Sequence, residues 1–159
     1  MKIIIAGSGD VGFHLAELLE HENQDIVLID MSQDLLDYAS NHLDVMTLKG
    51  DSSSIEILNQ AEAQRADLVI AVTTSEKNNL ITCILAKKMG AKQTIARVKN
   101  VEYLSEPVKV TFRQLGVDSI ISPTELAANE IVRLVQQVSF TDIFDFEKGK
   151  ISVVGVTLD

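Results

Sequence analysis

The chain has 159 residues, and its 14 lysines and arginines against 23 aspartates and glutamates give a formal net charge of −9. This length suits one globular domain with a small appendage. The negative charge argues against nucleic acid as a partner, because non-specific binding to nucleic acid depends on contacts between cations and phosphates. No apolar run reaches the ~20 residues that span a bilayer, and the single cysteine, Cys83, excludes an internal disulfide. We therefore expect a soluble, cytoplasmic chain without direct membrane insertion.

The first thirty residues carry the most informative pattern. An apolar strand is followed by Gly-Ser-Gly-Asp-Val-Gly at 7–12, an amphipathic segment and a second apolar strand that ends at Asp30. In such a turn the first glycine permits the tight bend, the second lets a pyrophosphate approach the backbone, and the third allows close helix packing. The helix N-terminus presents free N–H groups to a phosphate. Because Asp30 can accept hydrogen bonds from both ribose hydroxyls and repels a 2′-phosphate, the pattern predicts an adenosine nucleotide or dinucleotide site that disfavours NADP.

The rest of the chain alternates strands and helices. In chain order the pattern predicts a strand over 2–6, a helix over 11–19, a strand over 25–30, a helix over 32–39, a strand over 44–48, a helix over 54–60 and a strand over 68–72. It then predicts a helix that starts within 73–76 and runs to about 89, a strand over 94–98, a mostly helical segment over 101–115 broken at Pro107, and a strand over 119–121. This alternation predicts an α/β fold, a doubly wound parallel Rossmann sheet with strand order 3-2-1-4-5-6.

In such a sheet, ligands bind beyond the carboxyl ends of the strands, at the switch point between the first and fourth strands. Polar residues at the ends of the predicted strands are therefore candidates to contact a ligand. Asp51 and Ser52 follow the third strand and are candidates to border the adenine or ribose, with a solvated turn as the alternative. Thr73 and Thr74 follow the fourth strand and face the glycine turn, with helix capping as the alternative for one of them. Arg97 lies near the carboxyl end of the fifth strand, where it is a candidate to bind a phosphate or a carboxylate of a neighbouring subunit. A surface ion pair is the alternative for Arg97.

The predicted nucleotide site is the sum of these groups. It comprises Gly7, Ser8, Gly9, Asp10, Val11, Gly12, Asp30, Met31, Asp51, Ser52, Thr73, Thr74 and Arg97. No Cys/His group has metal-ligand spacing, and no P-loop lysine follows the glycines. The histidines, at positions 14, 21 and 42, lie on or beside the first two predicted helices, and Cys83 lies among apolar helical neighbours. We therefore expect neither a catalytic residue nor a metal site, and predict that the chain is not an enzyme.

Several of these segments together resemble one family, over nearly the whole chain. They are the turn 7–12, Asp30, the pair Gly50 and Asp51, the run 71–78, the strand 95–98 and the end 121–123. These motifs are similar to those of the N-terminal RCK domain, also called the KTN or TrkA-N domain, of Trk-type potassium-uptake regulatory proteins. By matching position, the resemblance assigns the pyrophosphate to residues 7–11, the ribose to Asp30, the far side of the ligand to Thr73 and Thr74, and a phosphate or the distal end to Arg97.

The resemblance also implies a function. It implies a regulatory subunit, held peripherally at the inner face of the cell membrane through its partner, that gates a membrane potassium-translocating subunit. The ligand it implies is NAD or NADH, with ATP or ADP as the alternative. Asp10 departs from the neutral residue that is common in the family, so we expect its side chain to face outward.

The last third of the chain carries surplus apolar surface. The apolar residues of a predicted helix over 124–138 cover an arc of about 160°, wider than the ~100° stripe that one core needs. Segments 140–146 and 151–158 read as two strands around a turn at 147–150, and an isolated hairpin is marginal in water. We interpret 1–123 as the Rossmann domain, 124–138 as a crossover helix that forms a homodimer, and 139–159 as a hairpin opening an incomplete C-terminal subdomain. An extra strand pair on the main sheet is the alternative, and the resemblance implies the same dimer, which can build into a ring.

Three functions are compatible with these residues. The first is the ligand-sensing regulator. The second is the cofactor-binding half of an NAD-dependent dehydrogenase or reductase whose catalytic domain lies outside this chain. The third is a Rossmann scaffold without nucleotide affinity. The residues alone support dinucleotide binding, and the resemblance favours the regulator.

Overall fold

The computed structural model describes residues 1–137, 142–146 and 151–155, and the chain divides into two compact units, Met1–Ser122 and Pro123–Asp159. The strands of the first unit are β1 (Lys2–Ala6), β2 (Asp25–Asp30), β3 (Met46–Lys49), β4 (Leu68–Ala71), β5 (Gln93–Arg97) and β6 (Ser119–Ile121). Its helices are α1 (Asp10–Glu20), α2 (Gln33–His42), α3 (Ile55–Gln60), α4 (Glu76–Met89) and α5 (Glu106–Leu115).

The six strands form one parallel sheet in the order β3-β2-β1-β4-β5-β6, which confirms the predicted strand order. In the centre, Ile4 of β1 pairs with Val27 of β2 on one side and with Val69 of β4 on the other. The chain leaves β1 toward β2 and later returns to the other side of β1 with β4. This reversal makes the carboxyl ends of β1 and β4 the switch point of the sheet.

The core lies on both faces of β1, which explains why its residues are apolar without alternation. Ile3 and Ile5 pack on one face with residues of α1 and α2 such as Ala16 and Leu36. Ile4 packs on the opposite face with residues of α3 and α4 such as Leu58 and Ala86. All of these side chains are at most 1% exposed, so the sheet holds the strand ends rigidly under the loops that carry polar residues.

Some element boundaries differ from the predicted ones. Helix α2 continues beyond Ala39 to His42, whose ring stacks on that of Tyr38 with centroids 4.1 Å apart. The predicted break at Pro107 is displaced, because a 3₁₀ turn covers Val101–Leu104 and α5 begins at Glu106 with Pro107 in its first turn. Proline is tolerated there, since the first-turn N–H groups of a helix have no partner within the helix.

The second unit contains α6 (Pro123–Gln137) and an antiparallel strand pair, β7 (Asp142–Phe146) with β8 (Ile151–Gly155). The side chains described in α6 from 124 to 136 are all exposed, including those of Ile131 and Val135 at 60% and 64%. The predicted extensions of the helix to 138 and of the strands to 140 and 158 lie outside the described residues, as does the turn at 147–150. Among the helices in the described part of the chain, none is long and apolar enough to cross a membrane.

Candidate nucleotide-binding site

The carboxyl ends of β1, β2, β4 and β5 surround one cleft of about 680 Å³. This volume falls within the range of small-molecule and cofactor sites. The predicted residues that line the cleft are Gly7, Gly9, Asp10, Val11, Asp30, Met31, Asp51, Ser52, Thr73, Thr74 and Arg97. Ser8 and Gly12 are buried behind the turn and do not line it. Six residues outside the predicted set also line the cleft: Ile29, Leu35, Gly50, Val72, Ser75 and Asn78.

The three glycines of the turn have different structural roles. Gly7 has a φ of +105°, and a Cβ there would lie 2.9 Å from the backbone nitrogen of Thr73. A Cβ on Gly12 would overlap the carbonyl oxygen of Gly7. Gly9, in contrast, has an ordinary φ of −70° and open space within 4 Å of its ideal Cβ. Packing therefore requires the first and third glycines, whereas Gly9 keeps the floor of the cleft free.

The N-terminus of α1 opens on the same cleft. Gly9 is the N-cap residue, and no side chain caps the helix. In the part of the chain that the structure describes, the backbone N–H groups of Asp10 and Val11 have no hydrogen-bond partner. Unsatisfied N–H groups at the positive end of the helix dipole favour an anion. Asp10 itself is exposed and lines the cleft.

The carboxylate of Asp30 is held in place by two backbone amides. Its Oδ2 accepts a hydrogen bond from the Ser8 N–H at 2.7 Å, and its Oδ1 accepts one from the Ser32 N–H at 2.9 Å. Each carboxylate oxygen has two acceptor positions, so one on each oxygen is left for a ligand. Asp30 therefore has the capacity to accept two ribose hydroxyls, and it also shapes the glycine turn. That second role was not visible in the sequence.

Arg97 brings a cation to the far side of the cleft. One terminal guanidinium nitrogen donates to the Val72 carbonyl at 3.4 Å, while the Nε is buried without a hydrogen-bond partner. Among the described residues no carboxylate lies within ion-pair distance of Arg97. The surface ion pair considered as an alternative is thus not formed there. An unpaired guanidinium with an unused donor fits a phosphate or a carboxylate of a ligand.

The loop after β4 arranges its polar groups differently from the sequence prediction. Ser75, and neither Thr73 nor Thr74, caps α4, because its hydroxyl accepts from the Asn78 N–H at 3.3 Å. The N–H and the hydroxyl of Thr73 both bond to the side-chain oxygen of Asn79, at 2.9 and 2.6 Å. Thr74 is exposed and lines the cleft. Asn is a weak helix former, so consecutive asparagines early in a predicted helix were the available signal.

Asp51 and Ser52 differ in what they present to a ligand. The Ser52 hydroxyl is buried and lies 3.0 Å from the hydroxyl of Thr82 on α4. The exposed carboxylate of Asp51 accepts from the Ser53 N–H and hydroxyl and from the Asn78 side-chain amide, at 2.9, 2.8 and 2.9 Å. These hydrogen bonds, those of Ser53 first, hold the pKa of Asp51 below its usual value. Asp51 therefore adds a fixed negative charge to the cleft.

Cys83, the single cysteine of the chain, does not line the cleft. Within the described residues no group of three or more His, Cys, Asp or Glu side chains is arranged to hold a metal ion. Cys83 is fully buried, and burial raises its pKa to about 12. Since a thiol reacts as its thiolate, Cys83 is a core residue, as the sequence indicated.

Replacing Asn78 with Ala should raise the pKa of Asp51, because one of the three donors to its carboxylate is lost. A lowered pKa means that ionised Asp51 stabilises the fold above the pKa of the unfolded chain, and that this stabilisation disappears as the pH falls through the folded-state pKa. The stability effect is small because the side chain is exposed. Carboxyl NMR titration measures the pKa directly. The control is Gln33→Ala, which removes an amide donor from Asp37 instead and should leave the pKa of Asp51 unchanged. If the pKa of Asp51 did not shift in Asn78→Ala, the hydrogen bond from Asn78 would not be what lowers it.

Similar structures share the fold described above. The TrkA-N domain of the inner membrane protein ybaL from Escherichia coli has a TM-score of 0.74 at 18% identity, over 84% of this chain and 96% of that domain. The GsuK channel bound to NAD has a TM-score of 0.63 at 18% identity, over 76% of this chain and 21% of that one. GsuK bound to ADP has a TM-score of 0.66 at 22% identity, over 86% of this chain and 34% of that one.

Sequence comparison gives a nearer relationship. A Trk system potassium uptake protein TrkA homolog from Archaeoglobus fulgidus is 36% identical over 154 residues, which cover 97% of this chain and 35% of the relative. The chain thus spans about a third of the length of that relative. The model of the TrkA-N domain matches residues 3–123, from the first strand to the start of α6. On this match, the chain belongs to the TrkA-N domain family.

Proposed function

We propose that this domain binds NAD or NADH in the cleft at the carboxyl edge of the sheet and thereby regulates a membrane potassium-translocating subunit. The observation that carries the nucleotide proposal is the convergence of three groups of matching chemistry. An uncapped helix N-terminus suits the pyrophosphate, the Asp30 carboxylate suits the ribose, and the unpaired guanidinium of Arg97 suits a phosphate or the distal end. The ligand is held by backbone N–H groups and these two side chains.

The charges around the cleft favour NAD(H) over ATP. Asp10, Asp30 and Asp51 line it together with a single cation, Arg97. NAD spreads two phosphate charges along a dinucleotide, whereas ATP brings three consecutive phosphates to the same place. Because like charges repel and the whole chain is strongly acidic, the triphosphate meets the greater repulsion. This preference should weaken as salt screens the charges.

The regulatory part of the proposal is supported by the related proteins. The Archaeoglobus relative is named for potassium uptake by the Trk system, and the solved structures of similar fold include a channel bound to NAD. We infer a cytoplasmic domain held at the inner face of the membrane through its potassium-translocating partner. A ligand can act there only through its different affinity for two arrangements of the assembly, typically ~1–3 kcal/mol of coupling.

The exposed helix α6 suits a homodimer. Its apolar side chains Ile131, Leu134 and Val135 are between 49% and 64% exposed and share one side of the helix at 100° per residue. A second copy of this chain offers the same stripe, so a two-fold axis would bury both. Larger rings need a further contact beyond this pair.

A parallel calorimetric titration with NADH, NAD, NADPH, ADP and ATP tests the ligand. Micromolar binding of NADH is expected, with weaker binding of ATP and of NADPH. Gly9→Val should abolish binding while leaving the free energy of unfolding within about 1 kcal/mol, because the new side chain enters open space at an ordinary φ. Wild-type chain that binds no nucleotide would support the scaffold alternative. Turnover of NADH with a keto substrate would support the dehydrogenase alternative.

Asp30→Ala should lower the affinity for NADH by about 1–3 kcal/mol, through the loss of charge-assisted hydrogen bonds to the ribose. The substitution also frees the Ser8 N–H, which perturbs the turn for every nucleotide alike. The ratio of the NADH and NADPH affinities separates the two effects, since only ribose recognition changes it. We expect the preference for NADH to shrink, and an unchanged ratio would remove Asp30 from ribose recognition.

Ile131→Asp should weaken the dimer on the order of a hundredfold, because it removes one buried side chain from each copy of a two-fold interface. Gln136→Asp is the matched control, since it adds the same charge to an exposed position about 140° away around the helix. Sedimentation velocity measures both. A monomeric wild-type chain, or equal weakening by the two variants, would contradict the proposed interface.

A further inference from the structure

Asn79 lies behind the cleft and is not among the residues that line it. Its side chain is only 1% exposed, on the first turns of α4. The oxygen Oδ1 accepts from the N–H and the hydroxyl of Thr73, at 2.9 and 2.6 Å. The nitrogen Nδ2 donates to the carbonyls of Thr73 and Arg97, at 3.1 and 2.9 Å. Every hydrogen-bonding position of this side chain is therefore used.

These four hydrogen bonds join segments that are distant in sequence. Thr73 follows β4, Arg97 ends β5, and both line the cleft. The backbone of Thr73 is also the surface against which Gly7 packs, at the distance that excludes a Cβ. One buried amide thus holds the loop after β4 in register with the end of β5 and with the glycine turn. A buried polar group that is fully satisfied fixes one arrangement, because any other leaves it unpaired.

We propose that Asn79 is a positioning residue of the nucleotide site, which sets both the placement of Thr73 and Arg97 and the hydrogen-bonding polarity of Thr73. The proposal rests on the proposed function, since the ligand is the one bound in that cleft. The Thr73 hydroxyl lies 2.6 Å from Asn79 Oδ1 and 3.2 Å from the Ser75 carbonyl oxygen, and it accepts from the Ser75 N–H at 3.3 Å. Because its single proton is directed to the shorter contact, at Asn79, and one acceptor position is taken by Ser75, one acceptor position is left for a ligand. The Thr73 N–H is likewise engaged with Asn79. Thr73 therefore selects a ligand group that donates, such as a ribose hydroxyl or a carboxamide, and leaves phosphate to the helix N-terminus and Arg97.

Two substitutions of similar size separate the roles of the amide. Asn79→Leu removes all four hydrogen bonds. Asn79→Asp retains the acceptor for Thr73 but turns a second oxygen toward the two carbonyls, where a donor is needed. Cys83→Ala is the matched control, because Cys83 is equally buried one turn later on α4 and its thiol bonds to the Ile95 carbonyl, away from Thr73 and Arg97.

The first readout needs no ligand. Amide hydrogen exchange of the full chain should show at least tenfold faster exchange at Thr73 in Asn79→Leu and no change there in Cys83→Ala. If the Thr73 amide exchanged in Asn79→Leu at the same rate as in the wild type, the proposal would be overturned. This measurement tests the positioning role even if the wild-type chain binds no nucleotide. Absence of nucleotide binding by the wild-type chain would refute the proposed function instead.

The second readout is the affinity for NADH, measured under conditions in which all the variants are folded. We expect at least a tenfold loss in both Asn79 variants and less than a twofold change in Cys83→Ala. As the pH falls from 7.5 to 5.5, Asn79→Asp should regain affinity, because its protonated acid again donates to a carbonyl, while Asn79→Leu should not. The proposal would be overturned if Asn79→Leu bound NADH within twofold of wild type. It would also be overturned if the loss of NADH affinity in Asn79→Asp did not change between pH 7.5 and pH 5.5. If Asn79→Leu does not fold, the pH profile of Asn79→Asp decides.

Discussion

The site depends on the close approach of two backbones at the switch point of the sheet. Gly7 packs against the peptide of Thr73, and Gly12 packs against the carbonyl of Gly7, at separations that leave no room for a Cβ. Together these contacts bring the start of α1 against the end of β4. The buried isoleucines of β1 keep that strand fixed beneath the turn. If either contact opened, the helix N-terminus and the loop after β4 would no longer border the same cleft.

An acidic chain that binds a phosphate-containing ligand has to produce positive potential locally. Here the potential comes from groups that the net charge of −9 does not reveal: the N–H groups at the start of α1 and the guanidinium of Arg97. The guanidinium is effective because no carboxylate among the described residues pairs with it. A surface lysine or arginine in an ion pair would contribute much less, since its field is already balanced.

Much of this arrangement could be predicted from the sequence, because its determinants are local. Continuous apolar runs mark strands covered on both faces, and the alternation with helices predicts a doubly wound parallel sheet. The structure confirms this sheet and its expected order, 3-2-1-4-5-6. The hydrogen bonds of Asn79 and Asn78 could not be predicted, because their acceptors at Arg97 and Asp51 lie 18 and 27 positions away. The start of α5 was misplaced for a different reason. Proline disrupts a helix interior but suits its first turn, and the sequence pattern did not distinguish the two.

The two amide contacts of Asp30 also constrain how this domain could change during evolution or engineering. A variant that accepts a 2′-phosphate must lose the negative charge at this position. Replacing the carboxylate also removes the acceptors of the Ser8 and Ser32 N–H groups, so a single substitution would alter cofactor preference and distort the turn together. A successful exchange therefore requires a neutral side chain that still accepts from both amides, or a second substitution that supplies the missing acceptor. At the proposed nucleotide site, a change of cofactor preference through Asp30 would therefore also change the geometry of the glycine turn.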